Sequence, residues 1–148
     1  MLRCLSRRFA IAVIALVAVA PNAMSANYCA RHPGLAPVPP GLQGEVARAF
    51  GILRQAARGA MVRCVGDRLL ACSIGANLNC GKANLERSLP AASAYCRANA
   101  NTDFIPMFVT GHDTIYDWRC VNGKAVAGKA LVTVDPQGFV AENWKEIR

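Results

Sequence analysis

The chain has 148 residues, of which 53% are hydrophobic and only 18% are charged. Its formal net charge is +8, which favours association with anionic surfaces or partners. No run of Lys and Arg and no nucleic-acid-binding motif accompanies this charge, so the composition argues against a specific nucleic-acid binder.

The first 26 residues have the three-part layout of a secretory signal peptide. A basic start precedes an apolar run over residues 9–20, and a breaker with small residues follows. This run is shorter than the roughly 20 residues that a membrane span needs. The sequence therefore predicts cleavage near Asn27 and a periplasmic or secreted bacterial protein without a mature transmembrane segment. Because Phe9 directly follows the Arg7 and Arg8 pair, general secretory export is favoured over the twin-arginine route.

Removal of the signal leaves 122 residues, which fits one domain. Three of the 17 basic residues lie in the signal, so 14 remain against nine acidic residues, for a net charge of +5. We expect a proline-rich extended arm over residues 27–42, because proline fixes φ and lacks an N–H. Residues 43–148 then form a single domain.

Six cysteines follow the signal, and an even number in a small exported domain indicates three disulfides. They are Cys29, Cys64, Cys72, Cys80, Cys96 and Cys120. Spacing alone leaves 15 pairings open. Free or metal-binding thiols are the alternative, but no two cysteines have the close spacing typical of structural zinc sites and dithiol redox motifs. Cys29 is expected to pin the arm to the domain.

The remaining pattern predicts an α+β fold in chain order. Apolar residues at helical spacing indicate an amphipathic helix over residues 43–58, ending at Gly59. A hairpin is predicted around Gly66 and Asp67, then a loop over residues 75–84 rich in Gly and Asn. A second helix begins near Ser88, whose hydroxyl is a candidate cap.

The last third of the chain predicts an antiparallel three-stranded meander. Its strands are residues 114–121, 129–134 and 139–144. The first turn is Asn122-Gly123, a strong hairpin signal. The predicted fold is thus a small disulfide-stapled domain in which a hairpin and this meander form an antiparallel sheet packed against two helices.

Polar side chains outside any amphipathic pattern concentrate in two segments, the 75–84 loop and residues 110–116. Together with the neighbouring aromatic residues they predict a ligand-binding surface formed by Asn77, Asn79, Lys82, Asn84, His112, Asp113, Tyr116 and Trp118. The alternatives are that the asparagines satisfy their own turns and that the aromatics belong to the core.

Catalytic chemistry has little support in the sequence, and no catalytic residue is assigned. His112 is an acid–base candidate because Asp113 adjoins it, but adjacent residues on a strand point in opposite directions. Asp113 and Asp117 are available as a carboxylate pair for glycoside hydrolysis, but their spacing alone does not support it. No serine lies in a nucleophile elbow. No two-histidine metal motif or phosphate-binding glycine loop occurs, so we assign no metal and no cofactor.

Parts of the chain resemble two groups of exported proteins. Residues 75–82 (GANLNCGK), 111–120 (GHDTIYDWRC) and 135–142 (DPQGFVAE) resemble an uncharacterised group of small exported cysteine-rich proteobacterial proteins. This resemblance covers residues 63–144 and implies no established activity. A looser similarity is to periplasmic lysozyme inhibitors, whose inhibitory loop runs Ser-Gly-x-x-Tyr. Here Thr110-Gly111 is followed by Tyr116, two positions too late, so that role is not transferred.

The sequence therefore predicts a non-enzymatic exported binding module of unknown ligand. Its partner is an envelope protein or an anionic surface. One alternative is a periplasmic inhibitor of a cell-wall-degrading enzyme. The other is a small hydrolase that uses His112.

Overall fold

The computed structural model describes residues 23–75 and 78–148. Residues 1–22 of the predicted signal peptide lie outside the described residues. Four helices and six strands are described, in the following chain order: α1 (Ala23–Arg31), β1 (Ala36–Pro37), α2 (Gln43–Phe50), β2 (Met61–Val65), β3 (Arg68–Cys72), α3 (Pro90–Ala98), α4 (Met107–Thr110), β4 (Tyr116–Val121), β5 (Lys124–Ala130) and β6 (Lys145–Glu146). Short 3-10 helices cover Pro40–Leu42, Ala56–Gly59 and Ala141–Asn143.

The larger sheet has the strand order β1-β2-β3-β6, and all its neighbours are antiparallel. Its centre is the predicted hairpin, in which Val65 pairs with Arg68 across the turn. This two-residue turn places Cys64 and Cys72 on opposite faces, because neighbouring residues of a strand alternate. The hairpin thus directs one cysteine into each of the two cores beside the sheet.

The smaller sheet is the β4–β5 hairpin. Asn122 and Gly123 form its turn with φ values of 50° and 75°, which is why an Asn-Gly pair suits it. Trp118 and Cys120 project from β4 into a core beneath α3. Backbone bridges between Lys82 and Phe139, and between Asn84 and Thr114, connect the regions around the two sheets.

Apolar burial divides into three clusters. The first lies between one face of the larger sheet and the segment from α1 to α2, with Val46 and Val62 fully buried. The second packs α3 against the β4–β5 hairpin. The third covers the opposite face of the larger sheet with Phe139 and Trp144 from the C-terminal segment.

Three disulfides connect these parts, and the α+β fold with three bridges is confirmed. Cys29–Cys64 ties α1 to β2, Cys72–Cys80 closes the 75–84 loop on β3, and Cys96–Cys120 ties α3 to β4. Their Cα–Cα distances are 5.6, 5.7 and 5.3 Å. The six cysteines therefore pair consecutively: the first with the second, the third with the fourth, and the fifth with the sixth.

Two predictions for the N-terminal part need correction. The arm is not extended throughout, because α1 continues to Arg31 and extended backbone begins only after it. The helix predicted over residues 43–58 ends at Phe50. Gly51 adopts φ 64° and its N–H bonds to helix carbonyls, which is a glycine C-cap. As a result Leu53, expected on the buried face, is 70% exposed.

The predicted three-stranded meander is also wrong in its details. The return strand begins at Lys124 rather than residue 129, because the two-residue turn pairs Lys124 directly with Val121. Residues 139–144 do not form a third strand of this sheet. They make two isolated bridges, Lys82 with Phe139 and Val134 with Val140, and then a 3-10 turn. The chain next enters the larger sheet as β6, so that Phe139 and Trp144 cover that sheet.

Candidate functional site

A cavity of about 430 Å³ lies beside strand β2, between the segment that follows α1 and the turn over residues 135–138. It is lined by Pro33, Gly34, Leu35, Arg63, Cys64, Lys82, Pro136, Gln137 and Phe139. These residues come from four separate parts of the chain. We call this the Arg63 cavity, because the side chain of Arg63 is its most buried charged group.

Arg63 is a buried cation on the face of β2 that the C-terminal segment covers. Only 3% of the residue is exposed. Its guanidinium carbon lies 4.4 Å from the centroid of the Phe139 ring and 4.5 Å from that of Trp144. Cation–π contacts gain strength when they are desolvated, so the two rings stabilise the buried charge.

Two hydrogen-bonding partners of Arg63 come from the turn over residues 135–138. One terminal nitrogen donates to the Asp135 carboxylate and the other to the Gln137 amide oxygen. The Gln137 amide nitrogen donates to the carbonyl of Cys64 at 3.1 Å, so Gln137 bridges the arginine and the strand. The Nε of Arg63 is buried and has no hydrogen-bond partner within the described residues. A buried donor of this kind favours an acceptor.

Asp135 is held in its ionised form by this arrangement. Burial raises the pKa of its carboxyl, but the Phe139 N–H, the Arg63 guanidinium and the Gln137 N–H lower it by more. The net result is a pKa below the ordinary value of 3.8. The two N–H groups donate to Oδ1 at 3.1 and 2.9 Å, which leaves Oδ2 for the arginine. The Arg63–Asp135 pair is therefore charge-neutral as a unit.

Lys82 supplies the second cation of the cavity. A backbone bridge to Phe139 fixes its position, and its Nζ lies 6.0 Å from the Phe139 ring centroid. Lys82 is exposed, and no ion pair engages it among residues 23–75 and 78–148. With Arg63 neutralised by Asp135, the charge of Lys82 leaves the cavity net positive.

The two segments that were predicted to form the site do meet, but mainly through backbone. Asn84 N donates to the carbonyl of Asp113 at 2.7 Å. The Asn84 side chain accepts from the N–H of Glu86, and that of Asn79 accepts from the N–H of Gly81. Both side chains therefore satisfy local turns, which was the alternative weighed from the sequence. Asn77 lies outside the described residues.

His112 and Asp113 do not lie in the Arg63 cavity. His112 is exposed, and no hydrogen bond or ion pair joins it to a carboxylate in the part of the chain that the structure describes. The Asp113 carboxylate folds over Gly111, where an added Cβ would lie 2.5 Å from Oδ1. This geometry offers no second catalytic group for the hydrolase hypothesis.

The two candidate aromatic residues serve the second core. Trp118 is only 4% exposed, and its indole nitrogen donates to the Thr114 hydroxyl at 2.9 Å. The ring of Tyr116 is half-buried beneath the Arg87 guanidinium, at 4.4 Å. Trp118 is therefore part of the second core, which was the alternative given by the sequence.

Of the residues predicted for the site, Lys82 lines the Arg63 cavity. The other polar side chains of the cavity, Arg63 and Gln137, were not predicted as site residues. Arg63 and Gln137 were placed only in a strand and a turn. A signal was present: Arg63 is a charged residue flanked by Val62 and Cys64 in a strand whose neighbours are apolar. What covers that face comes from more than 70 residues further along the chain.

Two further findings concern the described residues as a whole. Within them, no cluster of three or more His, Cys, Asp or Glu residues has the arrangement to hold a metal ion. No helix among them combines the length and apolar character needed to cross a membrane.

No family model matches the chain, and no curated protein or solved structure matches it either.

Proposed function

We propose that the protein is a binding module of the bacterial periplasm or extracellular space that takes small organic anions into the Arg63 cavity. The observation that carries this proposal is the buried Arg63, which lines a cavity beside Lys82; within the described residues neither its Nε nor the lysine ammonium has a hydrogen-bonding or ion-pair partner. Three disulfides support an oxidising compartment, which fits the signal peptide predicted from the sequence.

The charge of the cavity favours an anion. Lys82 is flexible and exposed, so it can approach a bound carboxylate as a point charge. Arg63 is fixed by Asp135 and Gln137, and its Nε–H still lacks an acceptor among the described residues, which a bound carboxylate would supply. Charge-assisted hydrogen bonds of this type are about twice as strong as neutral ones.

The walls of the cavity favour an apolar body on the ligand. Pro33, Leu35, Pro136 and Phe139 provide apolar surface around the two cations. The volume of about 430 Å³ is within the range of small-molecule sites. A small carboxylate with an aromatic or aliphatic group therefore fits the cavity better than an inorganic anion does.

Calorimetric titration with benzoate, benzamide and benzylamine tests the proposal, because these probes share a ring and differ in charge. We expect benzoate to bind about tenfold more tightly than benzamide, since loss of the charge removes a charge-assisted hydrogen bond. Benzylamine should not bind. Equal affinity for all three probes would contradict an anion site.

A matched pair of variants locates the site. Lys82→Gln should weaken benzoate binding about tenfold through loss of its charge. Lys145→Gln is the control, because Lys145 also lies over an aromatic ring, that of Phe50, at 4.8 Å, but does not line the cavity. If both variants bind benzoate like the unmodified protein, the site lies elsewhere.

A further inference from the structure

Three exposed apolar residues lie close together in the sequence around Ile105, which belongs to the second core and does not line the Arg63 cavity. Phe104, Met107 and Phe108 fall within five positions and are 64%, 42% and 84% exposed. Single exposed apolar residues are normal, but a concentration of this kind marks an interaction surface.

The backbone beneath this cluster is firmly held. Ile105 N donates to the carbonyl of Trp118 at 2.9 Å, and Cys120 N donates to that of Thr102 at 2.8 Å. Residues 102–105 thus run along the free edge of β4. The side chain of Ile105 is buried in the second core, beside the Cys96–Cys120 disulfide. Phe104 is therefore presented in a preformed position.

Basic side chains share the face of Phe104. Ile105 and Trp118 are buried in the same core, so Phe104 and Arg119, their chain neighbours, lie on the opposite face. Arg119 pairs with Val126, and the exposed Val121 pairs with Lys124, which adds apolar and basic groups to that face. We name the surface formed by Phe104, Arg119, Val121, Lys124 and Val126 the Phe104 face.

The charges around the Phe104 face are predominantly basic. The β4–β5 hairpin contains three basic residues, Arg119, Lys124 and Lys129, and one acidic residue, Asp117. Asp117 has one oxygen buried and folds against Gly128. The exposed Asp103 is the other acid nearby. Over the described residues the net charge is also +5, since 14 basic residues oppose nine acidic ones.

We propose that the Phe104 face binds the surface of an anionic lipid bilayer, with Phe104 inserted among the headgroups. Phenylalanine side chains can bury at the boundary between headgroups and acyl chains. Arg119 and Lys124 lie on the same face as Phe104, where their charges meet anionic headgroups. The basic, aromatic surface of a hairpin fits a broad anionic plane better than it fits a narrow peptide.

Co-sedimentation with vesicles tests this proposal independently of the Arg63 cavity. The probes are phosphatidylcholine vesicles with and without phosphatidylglycerol. We expect binding only when phosphatidylglycerol is present, and loss of that binding as salt screens the charges. Absence of binding to either composition overturns the proposal, and so does capture of an acidic protein by this face without vesicle binding.

Two double variants separate the Phe104 face from general apolar exposure. Phe104→Ser with Val121→Ser should reduce partitioning about tenfold or more, because two exposed apolar side chains of the face are lost. Leu53→Ser with Ile74→Ser is the matched control, since these residues are 70% and 58% exposed but belong to the region of the larger sheet. Equal partitioning of the two double variants overturns the assignment of this face.

Discussion

Arg63 shows how one buried charge can organise the C-terminal third of a small domain. Its guanidinium contacts Phe139 and Trp144 and bonds to Asp135 and Gln137, so one side chain of β2 holds the residues that cover it. Breaking a buried ion pair by removing one partner is strongly destabilising, because the other charge remains unpaired. Arg63 therefore serves both the fold and the candidate site.

Asp135→Asn isolates the charge of this pair. Asparagine keeps an oxygen that can accept from the N–H groups of Gln137 and Phe139, but it leaves Arg63 without a carboxylate. We expect the free energy of unfolding to fall by about 2 kcal/mol, less than for a fully buried pair, because Asp135 is partly exposed. Urea denaturation near neutral pH measures it. Asp67→Asn in the exposed hairpin turn is the control, and an equal effect of the two substitutions would contradict a special role for Asp135.

The same pair predicts a pH dependence with a defined sign. The folded-state pKa of Asp135 is below its ordinary value of 3.8, so its ionisation stabilises the fold above that pH. This contribution is lost as the pH falls below 3.8 and through the folded-state pKa. We therefore expect the stability difference between the unmodified protein and Asp135→Asn to shrink across this acid range. A difference that stays constant would show that the charge is not responsible.

At the scale of elements, short turn signals predicted structure better than helical periodicity did. The Gly66-Asp67 and Asn122-Gly123 turns correctly located both hairpins. The apolar spacing of residues 43–58 predicted a helix longer than α2. The helix ends because Gly51 adopts a left-handed backbone conformation, and the spacing of apolar side chains carries no information about that. The segment over residues 139–144 has strand-like composition, but its Phe139 and Trp144 side chains pack against the larger sheet.

Gly51 offers a direct test of how α2 ends. Its φ is 64°, and a Cβ added there would meet nothing within 4 Å, so only the backbone conformation disfavours a side chain. Gly51→Ala should lower the free energy of unfolding by about 1 kcal/mol, the usual penalty of a left-handed residue. Thermal or urea denaturation provides the measurement.

Gly59→Ala is the matched control for this prediction. Gly59 also has open space around its Cβ position, but its φ is not in the left-handed region. We expect no loss of stability, or a small gain from the reduced freedom of the unfolded chain. Equal destabilisation by both substitutions would show that the left-handed cap does not matter.

For the whole molecule, the sequence predicted the number of disulfides but not their pairing. Chain order allowed 15 arrangements, and only packing decides between them. The candidate site was predicted less well for a related reason. The Arg63 cavity draws on four parts of the chain that lie far apart in sequence, so local polarity identified Lys82 and missed Arg63 and Gln137.

The disulfides should contribute to stability in the order of their loop lengths. Sequence separations of 35, 24 and 8 belong to Cys29–Cys64, Cys96–Cys120 and Cys72–Cys80. Loop-closure entropy gives about 4, 3.5 and 2.5 kcal/mol for the three bridges. Urea denaturation of paired Cys→Ala variants measures the ranking. If removal of Cys72–Cys80 proved the most damaging, packing of the 75–84 loop would outweigh chain entropy.

The binding hypothesis depends most directly on the Nε–H group of Arg63. Its buried position should give a resolved side-chain signal in a nitrogen–proton correlation spectrum, which Arg63→Lys would remove and so assign. On addition of benzoate we expect this signal to shift in a saturable way, with benzamide at the same concentration moving it far less. An Arg63 Nε–H signal that does not respond to benzoate, in a sample where benzoate is shown to bind, would contradict the Arg63 cavity as the anion site.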